Sequence, residues 1–158
     1  LGPLSQKHQL LTLSLALCSP GHWDGVGNAY LMVQQVSAVI GFIEKLNAGP
    51  VDLMGHSRGG HIGFRVAQAR PDLLRKLVLA EPGGDLDATL KQGPATPGFV
   101  PIGARMPAAM EKIRAGDIDG ALALFVDGID GEGTWARLPT APTQQLRDNL
   151  IALIGLVG

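Results

Sequence analysis

The chain has 158 residues, of which 46% are hydrophobic and 17% charged, a composition that predicts one folded domain and excludes intrinsic disorder. Its 13 basic and 14 acidic residues leave a formal net charge of -1, so neither nucleic acid nor a membrane surface is expected as the main partner. The single cysteine, Cys18, cannot form an internal disulfide or a paired-cysteine metal motif. All histidines and serines lie within the first 61 residues, where any chemistry that needs them must be assembled.

The first predicted element is a strand in the run Leu10–Cys18 (LLTLSLALC), because leucine alternates there with small or polar residues in a period of two. The same run resembles the apolar segment of a signal peptide, but it is too short to cross a bilayer. The period therefore favours the strand, and we expect a cytoplasmic protein. Ser19–Gly27 predicts a loop, and Asn28 is predicted to cap a helix that ends near Asn47.

A strand–helix–strand unit is predicted next. Val51–Met54 is a short apolar run typical of a buried strand, and a helix is expected from the following glycine-rich segment to about Arg70, where Pro71 ends it. Leu77–Ala80 predicts a further buried strand. Alternation of strands and helices indicates an α/β protein with a partial parallel sheet and helical crossovers.

The composition changes near residue 84, and no convincing strand is found from Asp85 to Thr143. We therefore divide the chain into residues 1–84, the sheet-containing part, and residues 85–158, a helical region. Helices are predicted at about Ala104–Ala115, at Ile118–Asp127 with Asp117 as its N-cap, and at Thr143–Val157.

The motif that indicates chemistry is Gly55-x-Ser57-x-Gly59, which lies between a predicted strand and a predicted helix. A sharp turn there strains the backbone of the central serine and lifts its hydroxyl clear of the sheet, and we expect side chains at the two flanking glycines to clash. The backbone N–H of Arg58 would point toward the same space and supply half of an oxyanion hole. The alternative is a plain glycine-rich strand-to-helix turn, which the strand and helix context disfavours.

The segment Val51–Glu81 resembles the centre of a cap-bearing α/β-hydrolase. Family members usually place a phrase like GHSxGG before the helix, an Arg/His-Pro-Asp/Glu step after it and an LVL strand next, and Gly55–Gly60, Arg70–Asp72 and Leu77–Leu79 match these. The resemblance implies a serine hydrolase that cleaves ester or related acyl bonds, with Ser57 as nucleophile and Arg58 as oxyanion donor through its N–H. It also implies that residues 85–158 form the helical cap.

The chain departs from the family pattern in its catalytic base. The family's histidine comes late in the chain, whereas no histidine follows His61. The usual acid loop and the second oxyanion donor also have no counterpart here, so we expect a fragment that begins just before one central strand and stops at the end of the cap. Some family members carry the acid after the strand that follows the nucleophile helix, a place that Glu81 occupies. The simpler interpretation of Glu81 is a carboxylate at the rim of the sheet.

The remaining candidates are weaker. His56, His61 and His22 could each supply a base, but helix direction or solvent exposure makes an ordinary structural role the better interpretation of each. No metal site and no cofactor are predicted, since Gly55–Gly60 lacks the Lys-Ser/Thr ending of a phosphate loop. We expect a small-molecule substrate with an apolar portion. The alternatives are a non-catalytic ligand-binding module on the hydrolase scaffold and, less well supported, a dinucleotide-binding domain, for which a GxGxxG motif is missing after the first strand.

Overall fold

The structure is a computed structural model that describes residues 2–15, 18, 31–83 and 102–149. Two parallel strands and a crossover helix form the part that carries the GxSxG motif, and four further helices follow. In chain order the elements are α1 (Gly2–Ser5), α2 (Met32–Leu46), β1 (Val51–His56), α3 (Arg58–Ala69), a 3₁₀ turn (Pro71–Leu73), β2 (Leu74–Ala80), α4 (Ile102–Arg114), α5 (Ile118–Asp130), α6 (Thr134–Arg137) and α7 (Thr140–Asp148).

The predicted strand–helix–strand unit is confirmed. β1 and β2 are parallel and in contact, with Leu53 opposite Leu77 and Gly55 opposite Leu79, and α3 is the crossover between them. Alternate residues of β1 are partly buried and exposed, so one face of the strand contacts α3 while the other carries exposed side chains such as Met54. Both strands are longer than predicted, since hydrogen bonding continues past the apolar runs. The carboxyl ends of β1 and β2 therefore lie at the same edge of the sheet, and Ser57 directly follows β1 at that edge.

A small apolar core holds α2 and α3 against the sheet. Val39 and Ile43 of α2 pack against Ile62 and Val66 of α3, and all four are buried. Burying each such side chain contributes about 1.5–3 kcal/mol, so this cluster fixes α3, and with it the turn at its start, against the strands. Gly63 also brings α3 close to the sheet, because a Cβ there would already touch leucines of both strands at 3.5–3.6 Å.

The end of α2 agrees with the prediction and its start does not. Asn47 ends the helix in a left-handed conformation with a φ of 48°, which asparagine adopts more readily than most residues. The helix begins at Met32 after Leu31, and Leu31 makes no side-chain cap hydrogen bond. The predicted cap, Asn28, lies outside the described residues, and Leu31, the residue directly before the helix, is not helical.

The strand predicted within Leu10–Cys18 is also wrong over the described part of that run. Residues 9–15 have no regular secondary structure, and Cys18 donates its backbone N–H to the Leu15 carbonyl over 3.0 Å, which bends the chain into a turn. Leu11 and Leu13 are 55% and 41% exposed, and Leu15 packs against the core cluster. An alternating pattern forms a strand only when a neighbouring strand offers hydrogen bonds, and this segment pairs with no described strand.

The helices α4–α7 pack on one another. Asp117 caps α5 as predicted, and α4 agrees with its predicted range to within two residues. The predicted helix over Thr143–Val157 begins earlier, at Thr140, and its second half lies outside the described residues. The predicted boundary at residue 84 also lies outside them and stays a prediction. The short helices α1 and α6 were not expected. The buried apolar residues of helices α4–α7 are Met106, Ala109, Ala121, Leu122 and Val126.

The cap of α5 leads to a pH-dependent prediction. Asp117 accepts hydrogen bonds from Lys112 Nζ at 2.7 Å and from the Gly120 N–H at 2.9 Å, and these lower the pKa of its carboxyl group, the lysine bond having the larger effect. A lowered folded-state pKa contributes stability above the unfolded pKa, about 3.9, and that stability is lost as the pH falls through the folded-state value.

We therefore expect the free energy of unfolding to decrease below about pH 4 more steeply in the natural chain than in Asp117→Asn, whose amide caps the helix without titrating. The measurement is denaturant unfolding from pH 7 to pH 2.5. Parallel curves for the two chains would contradict this role of Asp117.

Within the part of the chain that the structure describes, no helix is long and apolar enough to cross a membrane.

Candidate active site

Ser57 occupies the turn between β1 and α3 and has a backbone conformation that L-residues rarely adopt. Its φ is 51° and its ψ is -121°. A non-glycine residue in this region costs about 1–3 kcal/mol and persists only where its surroundings impose it. The residue is exposed, although it lies between a partly buried strand and a helix that carries part of the core. The turn thus places a hydroxyl group at the carboxyl edge of the sheet, at the N-terminus of α3.

Two glycines make this turn sterically possible, and one of them differs from the prediction. A Cβ on Gly55 would overlap the Gly59 carbonyl oxygen and lie 2.8 Å from the Gly60 nitrogen. A Cβ on Gly60 would lie 2.9 Å from Pro82 Cα. A Cβ on Gly59, in contrast, would meet no atom of the described residues within 4 Å. The expected clash at Gly59 is therefore wrong, because that position faces outward from the first turn of α3 while Gly60 faces β2.

Backbone hydrogen bonds connect Ser57 to the end of β2. Its N–H donates to the Ala80 carbonyl at 3.0 Å, and its carbonyl accepts from the N–H groups of His61 and Gly83, each at 3.0 Å. The bond from His61 belongs to the helix, whereas those with Ala80 and Gly83 cross to the neighbouring strand and the turn after it. The strained conformation of Ser57 is therefore held through both of the peptide groups that flank its Cα.

Arg58 is the first residue of α3, so its backbone N–H belongs to the N-terminal turn, where helix N–H groups have no acceptor within the helix. Its side chain is partly buried, and this burial lowers the pKa of the guanidinium from its usual range, although the group stays charged at neutral pH. The nearby Cys18 thiol is half-buried, which raises its pKa, while the charge of Arg58 acts in the opposite direction. The positive end of a helix dipole thus lies at the turn that carries Ser57.

Glu81 follows β2 directly and has a left-handed φ of 44°. Its Oε2 lies 3.7 Å from Nε2 of His56, the residue that precedes Ser57 at the end of β1. Both side chains are largely exposed, with 92% and 68% of their surfaces accessible, so the pair contributes little to stability. The structure thus brings Glu81 and His56 together beside Ser57.

The other histidines lie away from this pair or outside the described residues. His61 accepts a hydrogen bond from Arg65 Nε at 3.3 Å, one turn further along α3, which agrees with the expectation that its side chain follows the helix. His8 is exposed, as expected for a surface residue. His22, the predicted loop candidate, falls outside the described residues.

One further feature of the described residues could hold a ligand, and it is remote from Ser57. A groove of about 300 Å³ lies at the amino end of β1, the opposite end of the strand from Ser57, and Glu44 and Asp72 line it. Arg70 pairs with both of these carboxylates and compensates one of their two negative charges. In the described ranges, no three histidine, cysteine or acidic side chains are grouped so as to hold a metal ion.

The contacts that the turn Glu81–Gly83 makes with the start of α3 were not predicted from the sequence. These contacts with Ser57 and Gly60 could not be found from periodicity, because they join residues far apart along the chain. The available signal was the Pro-Gly-Gly sequence directly after a buried strand, which indicates a tight turn at the edge of the sheet where Ser57 lies.

Two parallel strands joined by a crossover helix define an α/β protein. Its candidate site is the strained serine at the strand-to-helix turn, at the carboxyl edge of the sheet. A model of the alpha/beta hydrolase family matches residues 1–155. The chain belongs to this family.

One curated relative is Lipase LipV of Mycobacterium tuberculosis (strain ATCC 25618 / H37Rv), which is 41% identical to this chain over 54 residues. The aligned stretch covers 34% of this chain and 21% of that lipase. This chain therefore matches only about a fifth of the length of that relative. No solved structure matches the chain.

Proposed function

We propose that this chain carries the nucleophile of a serine hydrolase that cleaves esters or related acyl bonds. The observation that carries the proposal is the left-handed backbone of Ser57 at the turn between β1 and α3. In the proposed reaction, Ser57 Oγ attacks the acyl carbonyl and loses its proton to a base, and the bond between the acyl carbon and the leaving oxygen then breaks. Water releases the acyl group from the serine in a second step.

The Arg58 N–H is proposed to stabilise the oxyanion that forms during attack. It follows the nucleophile directly and belongs to the N-terminus of α3, where the helix dipole favours developing negative charge. Removing one such donor from a known oxyanion hole costs about 10²–10³ in kcat. The role belongs to the backbone N–H, so substitution of the Arg58 side chain should change the rate far less than displacement of the peptide.

The general base is proposed to be a histidine from outside these 158 residues, because no histidine follows His61. Glu81 is proposed as a candidate for the acid that orients this histidine. Its place after β2 supports this role, and its approach to His56 within 3.7 Å shows that the carboxylate can meet an imidazole at this edge.

The substrate is proposed to be a small molecule with an apolar portion. The name of the lipase relative supports an ester that carries an acyl chain, and the helices α4–α7, rich in apolar side chains, follow where the family places a cap. A second candidate function is a non-catalytic ligand-binding module on the hydrolase scaffold. Turnover distinguishes the hydrolase from the ligand-binding module, since the module would bind the ester without cleaving it.

The test is labelling with a fluorophosphonate, which reacts with activated serine hydroxyls, followed by peptide mass spectrometry. The complete gene product should be labelled at Ser57, Ser57→Ala should not be labelled, and the matched control Ser37→Ala should be labelled normally. Ser37 is an exposed residue of α2 whose hydroxyl donates to the Val33 carbonyl at 2.9 Å. A complete product that binds esters but is not labelled at Ser57 would support the binding module.

A further inference from the structure

The carbonyl of Ser57 accepts hydrogen bonds from two different elements. The N–H of His61, in the first turn of α3, donates to it as in any α-helix. The N–H of Gly83, in the turn after β2, donates to the same oxygen at 3.0 Å. The bond from Gly83 is not part of the helical hydrogen-bond pattern. It acts on the orientation of the Ser57–Arg58 peptide.

The peptide group that joins Ser57 to Arg58 is planar and trans, so the carbonyl of Ser57 and the N–H of Arg58 point in opposite directions. Whatever fixes the direction of the carbonyl also fixes the direction of that N–H. A carbonyl that accepts two hydrogen bonds also polarises its peptide and strengthens the N–H as a donor. We propose that Gly83 is a positioning residue for the hydrolysis, because its N–H aims the Arg58 N–H at the oxyanion through the Ser57 carbonyl. This inference rests on the proposed function.

The turn that carries Gly83 is itself held in place. Glu81 has a left-handed φ of 44°, and Pro82 has a restricted φ and contacts Gly60, where a Cβ would lie 2.9 Å from Pro82 Cα. The turn therefore lies directly against the first turn of α3. Its donor is pre-organised, so little conformational entropy is lost in keeping the bond to Ser57 through the reaction.

The N–H, rather than the lack of a side chain, is the feature of Gly83 that the site uses. Gly83 is not among the residues with positive φ, and a Cβ on it would lie 3.7 Å from the Ser57 carbonyl carbon, an ordinary van der Waals contact. Alanine at this position keeps the donor without a clash, while proline removes the donor. The two substitutions therefore separate the hydrogen bond from the size of the side chain.

The experiment measures kcat and KM for an ester with the complete gene product and its Gly83→Ala and Gly83→Pro variants. We expect Gly83→Pro to lower kcat by about 10-fold to 100-fold, somewhat less than the loss of a whole oxyanion donor, with KM within about threefold. The conservative variant Gly83→Ala should restore kcat to within about threefold of the natural enzyme. The inhibition constant of a trifluoromethyl ketone, whose serine adduct carries an oxyanion, should rise in Gly83→Pro by the same factor as kcat/KM falls.

A second variant keeps the test decisive if Gly83→Pro does not fold. Glycolic acid in place of Gly83, introduced by semisynthesis, replaces only the N–H with an oxygen and should lower kcat in the same way. The inference is overturned if the folded variant that lacks the N–H keeps kcat within threefold of Gly83→Ala, or if it weakens ground-state and oxyanion-analogue binding equally. Hydrolysis that survives Ser57→Ala would instead overturn the proposed function, so the two failures are distinguishable.

Discussion

Replacing Ser57 with alanine in the complete gene product should lower kcat/KM for an ester by about 10⁴-fold or more, because the variant lacks the oxygen that forms the acyl intermediate. Binding and oxyanion contacts remain, so a small residual rate above that of water is expected. The measurement is steady-state hydrolysis of a chromogenic ester, together with the pre-steady-state burst that reports acyl-enzyme formation. The burst should disappear in the variant.

The matched control for this variant is Ser37→Ala, which removes a serine hydroxyl from the exposed face of α2. We expect its kcat/KM to stay within about twofold of the natural enzyme, as for an ordinary surface substitution. Alanine at residue 57 should leave the melting temperature nearly unchanged, since Ser57 makes its described contacts through the backbone. Undiminished hydrolysis by a folded Ser57→Ala protein would refute the nucleophile assignment.

Replacing Gly55 with alanine should destabilise the fold by about 3 kcal/mol or more, the upper part of the range for overpacking. The new Cβ would overlap the backbone of Gly59 and come within 2.8 Å of the Gly60 nitrogen. Backbone atoms cannot rotate away as a flexible side chain could, so either β1 or the start of α3 must move. Denaturant unfolding with two probes, helical circular dichroism and tryptophan fluorescence, measures the effect.

Gly59→Ala is the matched control, because it adds the same methyl group two residues after the nucleophile, where no described atom lies within 4 Å of the new Cβ. Gly59 is in the first turn of α3, where alanine is favoured over glycine by up to about 1 kcal/mol. We expect this variant to be as stable as the natural chain or more stable. Similar midpoints for Gly55→Ala and Gly59→Ala would show that the close approach at Gly55 does not limit the fold.

Much of the strand–helix–strand unit could be predicted from the sequence because its signals are local. An apolar run indicates β1, the helical period and Pro71 bound α3, and a second apolar run indicates β2. The position of Ser57 between a strand and a helix followed from the same signals. The segment Leu11–Leu15 carries an equally clear local pattern but forms no strand, since strand formation depends on a partner that the pattern itself does not supply.

In the candidate site, too, the local signals could be predicted from the sequence and the contacts between distant residues could not. The motif made Ser57 and Arg58 candidates, and the resemblance made Glu81 one. The approach of Glu81 to His56 joins the ends of β1 and β2, which only the parallel pairing brings together. The motif also singled out Gly59 for its spacing. Which glycine is required depends on what each one faces, and Gly60 faces Pro82, a residue beyond the whole of α3 and β2.

The sequence by itself determined that this is an α/β chain with a serine at a strand-to-helix turn, since periodicity, chain breakers and a short motif act over a few residues. The tertiary structure decided how that serine is held. Its backbone, with a positive φ, is fixed by the hydrogen bond that it donates to the Ala80 carbonyl and the one that it accepts from the Gly83 N–H, and the turn Glu81–Gly83 contacts the start of α3 through Pro82. These contacts join residues that are distant along the chain, and hydrogen-bond partners at such separations are set by the docking of α3 and β2, which no local pattern encodes.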